Sequence, residues 1–352
     1  MPPPKPKLLV IQFKYLGDVV VATPTLQALR RTFPDWELHV LVSQEAVPLI
    51  AHLPWIDRVW GFPRIRGKIN ARSSLEVIRQ LRSERFRVSV DLVGNDRGAL
   101  ASLLIGAPRR IGRVAQSGYY IRRRCYTDPV EDFDLTRNES LRTWAVTSPL
   151  GISFPDDLQP EIAADTKWVP AAAEFLGSTQ VLCYITASQP KREWPLASWI
   201  AFHQRASACG LPIAFTGGNS PREKALLGRI ALEHPEIPLL PAPEPLAFFL
   251  AVLSRLRVFI SPDVGPMHFA SGLGVPTISL FGPTSAQRWA PIGSHHRWLQ
   301  GGLCPCSGHA SVCSAARSCI SAIVPEAVYE VYRKLLDETE IAGRDQDRLS
   351  VR

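Results

Sequence analysis

Short apolar runs without alternation recur along the chain, and segments with helical spacing of their apolar positions separate them. Clear examples are Leu8–Phe13, Val258–Ile260 and Thr277–Phe281, which are rich in β-branched and aromatic residues. Such runs are typical of strands that are covered on both faces. The alternation of strands with helices predicts an α/β protein, in which helices cover both faces of a parallel sheet.

This alternation occurs twice, on either side of a weakly periodic segment rich in Pro and Asp at 151–166. A chain of 352 residues also exceeds what one hydrophobic core usually serves. The sequence therefore predicts two doubly wound, Rossmann-like domains that face each other across a cleft, over residues 1–165 and 166–340. We expect the charged segment 341–352 to be a disordered tail.

The most informative stretch is VFISPDVGPMHFASGLGVPTISLFGPT at 258–284, which predicts a strand, a tight turn, a short helix and a second strand. Gly265 and Pro266 open the helix. A helix N-terminus at the carboxyl edge of a sheet offers backbone N–H groups to an anionic ligand. Asp263 and His268 stand at this turn. An ordinary surface turn with capping residues is the alternative, and we favour a ligand site.

Two further turns carry polar side chains. Gly17 permits a sharp turn after the first strand, and Asp18 can cap the helix that follows. Pro24 lies inside that helical pattern and predicts a kink or a late start of the helix. The second turn is ASQPKREW at 187–194.

A carboxylate, a pair of cations and a helix N-terminus are what group transfer from a sugar pyrophosphate requires. The carboxylate takes a proton from the acceptor hydroxyl, and the positive groups stabilise the leaving diphosphate. The sequence contains no Walker A loop, complete dinucleotide fingerprint or nucleophile elbow.

The formal net charge of +8 is concentrated in the first half of the chain. An excess of this kind suits an anionic partner, namely a phosphorylated substrate or an acidic membrane surface. Nucleic acid is disfavoured because no zinc-finger or RNA-binding signature is present. No apolar run approaches the roughly 20 residues of a membrane span, and the N-terminus lacks a signal-peptide pattern. We therefore expect a cytoplasmic protein. The basic groups are Arg64, Arg66, Lys68 and Arg72; Arg109, Arg110 and Arg113; and Arg122, Arg123 and Arg124.

Four cysteines are close together near the C-terminus. Two interpretations stay open: a metal site, or thiols in a structural loop. The spacing matches no common zinc module. The four are Cys304, Cys306, Cys313 and Cys319.

Taken together, these motifs resemble the family-nine glycosyltransferases, the heptosyltransferases of lipopolysaccharide core synthesis. The resemblance includes Gly17-Asp18 followed by Pro24, the segment PKREWP at 190–195 and SPDVGPMHFASGLGVPTISLFGPT at 261–284. It implies a GT-B fold and an inverting transfer of heptose from a nucleotide diphosphate-heptose, with ADP-heptose expected. The acceptor would be a lipopolysaccharide core sugar, and neither a cofactor nor a metal is implied.

Carried over to this chain, the resemblance implies that Asp18 is the base that activates the acceptor. In the C-terminal half it implies a donor site, in which Lys191 or Arg192 holds phosphate. Glu223 is a candidate for the ribose contact. The other implied donor-binding residues are Asp263, Val264, Gly265, Pro266 and His268.

For the acceptor we expect contacts from the basic loop that contains Arg64, Arg66 and Lys68. A solvated loop is the alternative. The expected partners are a nucleotide-sugar donor and an anionic glycolipid, with peripheral contact to the inner face of the inner membrane and no nucleic acid. A nucleotide-sugar epimerase and a non-catalytic nucleotide-sugar-binding protein are the competing functions. Acceptor-dependent turnover of the donor to free nucleotide distinguishes them.

Overall fold

The computed structural model describes residues 4–63, 71–114, 120–131, 134, 136–153, 157, 159–302 and 318–350. The chain divides into two compact units, Met1–Asp165 and Thr166–Arg352, referred to below as the N-terminal and C-terminal units. Each unit contains its own parallel sheet together with helices. The prediction of two α/β domains is confirmed.

The N-terminal unit alternates strands and helices from its first element. The elements are β1 (Lys7–Gln12), α1 (Leu16–Thr32), β2 (Glu37–Ser43), α2 (Val47–Ile50), β3 (Arg58–Phe62), α3 (Ala71–Ser83), β4 (Val88–Asp91), α4 (Asp96–Ile105), β5 (Arg109–Val114), α5 (Tyr120–Cys125), β6 (Asp128–Glu131) and α6 (Glu139–Ala145). In the described part of this unit, six parallel strands form a sheet in the order β3-β2-β1-β4-β5-β6.

The strand order of this sheet reverses beside β1. From β1 the chain proceeds outward to β2 and β3, and it then returns to β4 on the other side of β1. Open α/β sheets bind ligands outside the carboxyl ends of the strands at such a reversal. The segments that follow β1 and β4 are therefore the places to look for a site.

Helix α1 runs without interruption through Pro24. It begins at Leu16, so a late start of the helix is not observed. Pro24 has no N–H group to donate to the Val20 carbonyl. The hydroxyl of Thr23 donates a hydrogen bond to that carbonyl instead, at 2.7 Å. This bond compensates for the missing helical bond, and the proline is tolerated.

The C-terminal unit has the same alternation. Its elements are α7 (Val169–Leu176), β7 (Val181–Tyr184), α8 (Leu196–Ala206), β8 (Ile213–Thr216), α9 (Pro221–Glu233), α10 (Leu246–Leu253), β9 (Val258–Pro262), α11 (Gly265–Gly272), β10 (Thr277–Phe281), α12 (Ala286–Trp289), β11 (His296–Gln300) and α13 (Pro325–Ser350). Among the described residues its strands are parallel, in the order β11-β10-β9-β7-β8. The order reverses between β7 and β9.

Aromatic side chains fill the core of the C-terminal unit. Trp194 and Trp199 are buried and pack edge to face, with ring centroids 5.0 Å apart. Phe202 of α8 packs in the same way against Tyr332 of α13, at 5.7 Å. Edge-to-face pairs of this kind add to the stabilisation that burial of the rings provides. The last helix is thereby fixed to the body of the unit.

Helix α13 continues through 341–350, the segment for which its charge predicted a disordered tail. The difference has a simple physical reason, since the residues there include good helix formers such as Ala, Leu, Gln and Arg. No helix within the described ranges combines the length and the apolar character needed to cross a membrane.

Candidate functional site

Asp18 lies at the reversal point of the N-terminal sheet, directly beyond β1. It stands in the first turn of α1, whose N-cap residue is Tyr15. Asp18 is therefore a residue of the helix and not its N-cap. The prediction that Asp18 caps the helix is wrong. The Asp18 backbone is held at both ends, because its N–H donates to the Tyr15 carbonyl at 3.1 Å and its carbonyl accepts from Gln12 at 3.0 Å.

The Asp18 carboxylate belongs to a cluster of charged side chains, of which Asp18, Glu139 and Arg142 are buried and Lys14 and Arg113 half-buried. The Lys14 ammonium lies 2.6 Å from Asp18 Oδ1 and 3.5 Å from Glu139 Oε1. Arg142 and Arg113 approach the same Glu139 carboxylate, at 2.5 and 3.7 Å. Lys14 thus links two carboxylates from different elements, α1 and α6. Buried charges persist when they are paired in this manner, and the pairing fixes the position of Asp18.

A second carboxylate at this edge, Asp91, terminates β4. It is fully buried and accepts hydrogen bonds from the Tyr126 hydroxyl at 2.7 Å and from the N–H groups of Val93 and Gly94 at 3.0 and 3.1 Å. Burial raises the pKa of the Asp91 carboxyl, although these donors oppose the shift. Asp91 therefore stabilises the turn between β4 and α4. Asp18 is the better candidate for a base.

The second and third of the predicted basic groups lie in the described part of the chain. Arg109, Arg110 and Arg113 belong to strand β5, where Arg109 pairs with Asp128 and Arg113 with Glu139. Arg64, Arg66 and Lys68 lie outside the described residues. Arg122, Arg123 and Arg124 lie on helix α5. Arg122 pairs with Asp96 and Arg123 with Glu131. The ion pair with Arg122 lowers the pKa of the Asp96 carboxyl. Two of these three arginines thus have partners within their own unit.

Asp263 lies at the reversal point of the C-terminal sheet, directly beyond β9. It is 8% exposed, and its backbone N–H donates to the Leu280 carbonyl at 3.1 Å. One carboxylate oxygen, Oδ2, accepts a hydrogen bond from the Thr284 hydroxyl at 2.6 Å. The same oxygen lies 3.4 Å from Nη1 of Arg192. Three turns, which follow β7, β9 and β10, therefore meet at this carboxylate.

Arg192 is placed to bridge Asp263 and a further anion. Its side chain is 30% exposed, and the contact with Asp263 occupies one end of the guanidinium. In the part of the chain that the structure describes, no group hydrogen-bonds to its buried Nε. Its neighbour Lys191 is held through the main chain, because the Ser318 hydroxyl donates to the Lys191 carbonyl.

Helix α11 begins beside this cluster. Val264 is its N-cap residue in extended conformation, and Gly265 and Pro266 form the start of the first turn. The glycine presents no Cβ at the helix start, and the proline needs no hydrogen-bond partner there. His268, one turn further on, is 7% exposed and packs near the Trp289 ring, with centroids 6.4 Å apart. The positive end of α11 and Arg192 together favour an anionic ligand.

Glu223 lies at the start of α9, after the glycine turn that follows β8. Its Oε2 accepts from the Ser220 hydroxyl at 2.5 Å and its Oε1 from the Thr186 hydroxyl at 2.8 Å. Burial alone would raise the pKa of Glu223, but these hydrogen bonds outweigh it and the pKa is lowered. Glu223 is thus one half of a capping box. It remains a candidate for the ribose contact through Oε1, since a carboxylate oxygen accepts two hydrogen bonds and Oε2 already accepts two from Ser220.

We expect Glu223→Ala to lower the free energy of unfolding by about 1–2 kcal/mol, as loss of a helix cap does. Because the pKa of Glu223 is lower in the folded protein, its contribution is fully present above the pKa of the unfolded chain, about 4.3. It is lost as the pH falls through the folded pKa. Thermal unfolding of both proteins between pH 7 and pH 3 measures this difference.

Glu233→Ala is the matched control, since Glu233 is an exposed residue in the last turn of the same helix. We expect it to change stability by no more than about 0.5 kcal/mol at any pH. If the difference in free energy of unfolding between the wild type and Glu223→Ala does not change with pH, the ionised Glu223 carboxylate is not the source of the stabilisation.

Several residues of both clusters were missed in the sequence. Thr284 was included only as the last residue of the stretch at 258–284, and Lys14 and Glu139 were given no role. For Thr284 a signal existed, because it follows β10 as Asp263 follows β9. For Glu139 there was none, because its contact with Lys14 spans 125 positions of the chain and depends on the packing of α6 against α1.

Comparison with known proteins identifies one family. The model of glycosyltransferase family 9 (heptosyltransferase) matches residues 74–311, a range that contains Arg192 and Asp263 and begins after Asp18. Lipopolysaccharide heptosyltransferase 3 of Escherichia coli is 23% identical over 289 residues, which cover 79% of this chain and 84% of that protein.

Two solved structures show the same fold. A glycosyl transferase family 9 protein from Veillonella parvula has a TM-score of 0.81 at 21% identity, and the match covers 95% of this chain and 97% of that one. The E. coli heptosyltransferase WaaC, solved with ADP-2-deoxy-2-fluoro heptose, has a TM-score of 0.69 at 17% identity, covering 93% and 99%. The predicted GT-B fold is confirmed. The match of the family model over most of the chain shows that this protein belongs to glycosyltransferase family 9, the heptosyltransferases.

Proposed function

We propose that this enzyme transfers a heptose, with inversion, from ADP-heptose to a hydroxyl of a lipid-linked lipopolysaccharide core sugar. The observation that carries the proposal is the meeting of Arg192, Asp263 and Thr284 beside the N-terminus of α11, at the reversal point of the C-terminal sheet. This is a site for a ligand that has both an anionic and a hydroxyl-bearing part. The names of similar proteins, which include a heptosyltransferase solved with an ADP-heptose analogue, support the choice of heptose as the sugar and of ADP as the nucleotide.

In the proposed donor complex, the diphosphate lies against Arg192 and the N-terminus of α11. A guanidinium carries five N–H donors in a planar fork, so Arg192 can contact Asp263 with one side and phosphate oxygens with another. Lys191 is adjacent in sequence and adds a second positive charge. The Asp263 carboxylate, held in place by Thr284, accepts hydrogen bonds from the sugar hydroxyls.

The proposed reaction is a single displacement. Asp18 removes the proton from the acceptor hydroxyl, and the oxygen forms a bond to the anomeric carbon of the heptose. The bond between that carbon and the diphosphate oxygen breaks, and the nucleotide diphosphate leaves with the electron pair. Arg192, Lys191 and the backbone N–H groups of α11 stabilise the negative charge that develops on it.

A thermal-shift screen of nucleotides tests the donor. We expect ADP and ADP-heptose to raise the melting temperature, since a ligand at a hundredfold excess over its Kd stabilises the fold by about 2.7 kcal/mol. Other nucleoside diphosphates, with UDP as the reference, should shift it less. Equal shifts with every nucleotide, or none with ADP-heptose, would count against the proposed donor.

For the acceptor, we propose that the basic loop with Arg64, Arg66 and Lys68 contacts phosphates or carboxylates of the glycolipid core. Neutralising all three with glutamine should raise the KM for the acceptor and flatten its dependence on salt, while the KM for the donor stays unchanged. The physical reason is that attraction between exposed charges weakens as ionic strength rises. Steady-state kinetics at two salt concentrations measure both effects.

A matched control is the replacement of Arg205, Lys224 and Arg229, three basic residues of the C-terminal unit, with glutamine. It removes the same charge, and we expect the acceptor KM to keep its wild-type salt dependence. If the Arg64, Arg66 and Lys68 variant also keeps the wild-type acceptor KM and salt slope, the loop has no part in acceptor binding.

A further inference from the structure

Helix α4 exposes leucines on its outer face. Leu100, Leu103 and Leu104 are 54, 43 and 41% exposed, whereas Ala99 and Ile105 on the inner face are buried. The three leucines are spaced i, i+3 and i+4, so they form one continuous apolar strip, referred to here as the leucine face. A single exposed leucine needs no explanation, but contiguous apolar surface indicates an interaction site.

The neighbouring helix α3 adds arginines beside this strip. Arg72, Leu75, Arg79 and Arg82 follow one another at intervals of three or four residues, so they lie along one side of α3. Leu75 is 46% exposed, and the three arginines are exposed too. Arg82 donates a hydrogen bond to the Leu104 carbonyl at 3.2 Å. The basic side of α3 therefore borders the leucine face directly.

The charge of this surface is predominantly positive. Arg97 precedes Leu100 by one turn of α4, is exposed and lies over the Phe13 ring. The carboxylates of the two helices are Glu76 and Asp96. The ion pair with Arg122 compensates the charge of Asp96. The described residues of α3 and α4 thus include four arginines and two carboxylates, and Arg122 neutralises one of these carboxylates.

We propose that the leucine face and its bordering arginines dock the enzyme on an anionic lipid bilayer. Leucines can enter the boundary between headgroups and acyl chains, while arginines bind lipid phosphates at the same depth. Charge complementarity favours an anionic bilayer over an apolar protein surface. The choice also rests on the proposed function, because a lipid-linked acceptor resides in such a bilayer.

Co-sedimentation with lipid vesicles tests the docking surface. The wild-type protein should bind vesicles of phosphatidylethanolamine and phosphatidylglycerol, and should bind pure phosphatidylcholine vesicles much less. The triple variant Leu100→Ser, Leu103→Ser, Leu104→Ser should bind the anionic vesicles about tenfold or more weakly, because it removes most of the buried apolar area. Arg72→Gln with Arg79→Gln should weaken binding mainly at low salt.

Leu232→Ser in α9 is the matched control, because Leu232 is 85% exposed and lies in the other unit. It should bind vesicles like the wild type. Circular dichroism verifies the fold of each variant, and the single change Leu100→Ser replaces the triple variant if the latter misfolds. Three results would overturn the proposal: no binding of the wild type to anionic vesicles, unchanged binding of the leucine variant, or a wild-type dimer that the leucine variant dissociates.

Transfer to a lipid-free core oligosaccharide separates this proposal from the proposed function. The leucine variant should transfer heptose to that acceptor at the wild-type rate and lose rate only with vesicle-bound glycolipid. Equal losses with both acceptors would contradict a docking role. If the wild type transfers heptose to neither acceptor yet binds anionic vesicles through the leucine face, the function fails and the docking surface stands.

Discussion

Replacing Asp18 with asparagine should lower the rate of heptose transfer roughly 10²–10⁴-fold, the usual contribution of a general base. The affinity for the donor should stay nearly unchanged, because the proposed donor residues belong to the C-terminal unit. Asparagine has the same shape but cannot accept a proton. Single-turnover kinetics with saturating donor and acceptor measure the loss, and calorimetry with ADP measures donor binding.

Asp96→Asn provides the matched control. Asp96 also stands in the first turn of a helix at the reversal point of the N-terminal sheet, and it is paired with Arg122 as Asp18 is paired with Lys14. If a carboxylate near the helix N-terminus acts only on stability, both variants should show the same small effect. Near-normal transfer by Asp18→Asn would reduce Asp18 to that structural role.

The second large effect concerns the donor. The double change Lys191→Ala, Arg192→Ala should weaken binding of ADP and ADP-heptose about 10- to 150-fold, which corresponds to the 1.5–3 kcal/mol of a hydrogen bond to a charged group. Asp263→Ala should weaken binding of ADP-heptose more than that of ADP, because its proposed partner is the sugar. Isothermal titration calorimetry of each variant with both ligands measures the difference.

Removing Lys224 and Arg229 from the exposed side of α9 gives a control with the same loss of charge. We expect this variant to bind ADP-heptose like the wild type. If the Asp263 variant and the Lys191, Arg192 variant both bind the donor with unchanged affinity, the donor does not bind at this edge of the C-terminal sheet.

The fold was largely predictable from the apolar pattern. The predicted bounds of β10, Thr277–Phe281, agree with the structure, because this strand is buried along its whole length. The edge strand β11 was missed. Three of the five residues in its sequence HRWLQ are polar, and all except His296 are exposed or half-buried, so nothing in the pattern separated it from a loop.

The site was predictable only in part. Asp18, Arg192 and Asp263 were identified because each follows an apolar strand at a turn. Their arrangement required the strand order, since Arg192 meets Asp263 because β7 lies beside β9. The sequence contains no record of that adjacency. The capping role of Glu223, in contrast, could have been read from Ser220 and Glu223, which match the capping-box pattern Ser-x-x-Glu.

The most direct test of the central claim is to incubate the enzyme with ADP-heptose and a lipid-linked core acceptor, and to measure released ADP and the mass of the acceptor together. We expect one heptosyl residue gained by the acceptor for each ADP released, and no release without acceptor. A donor that is converted to a different nucleotide sugar, or that stays intact in the presence of acceptor, would contradict glycosyl transfer by this protein.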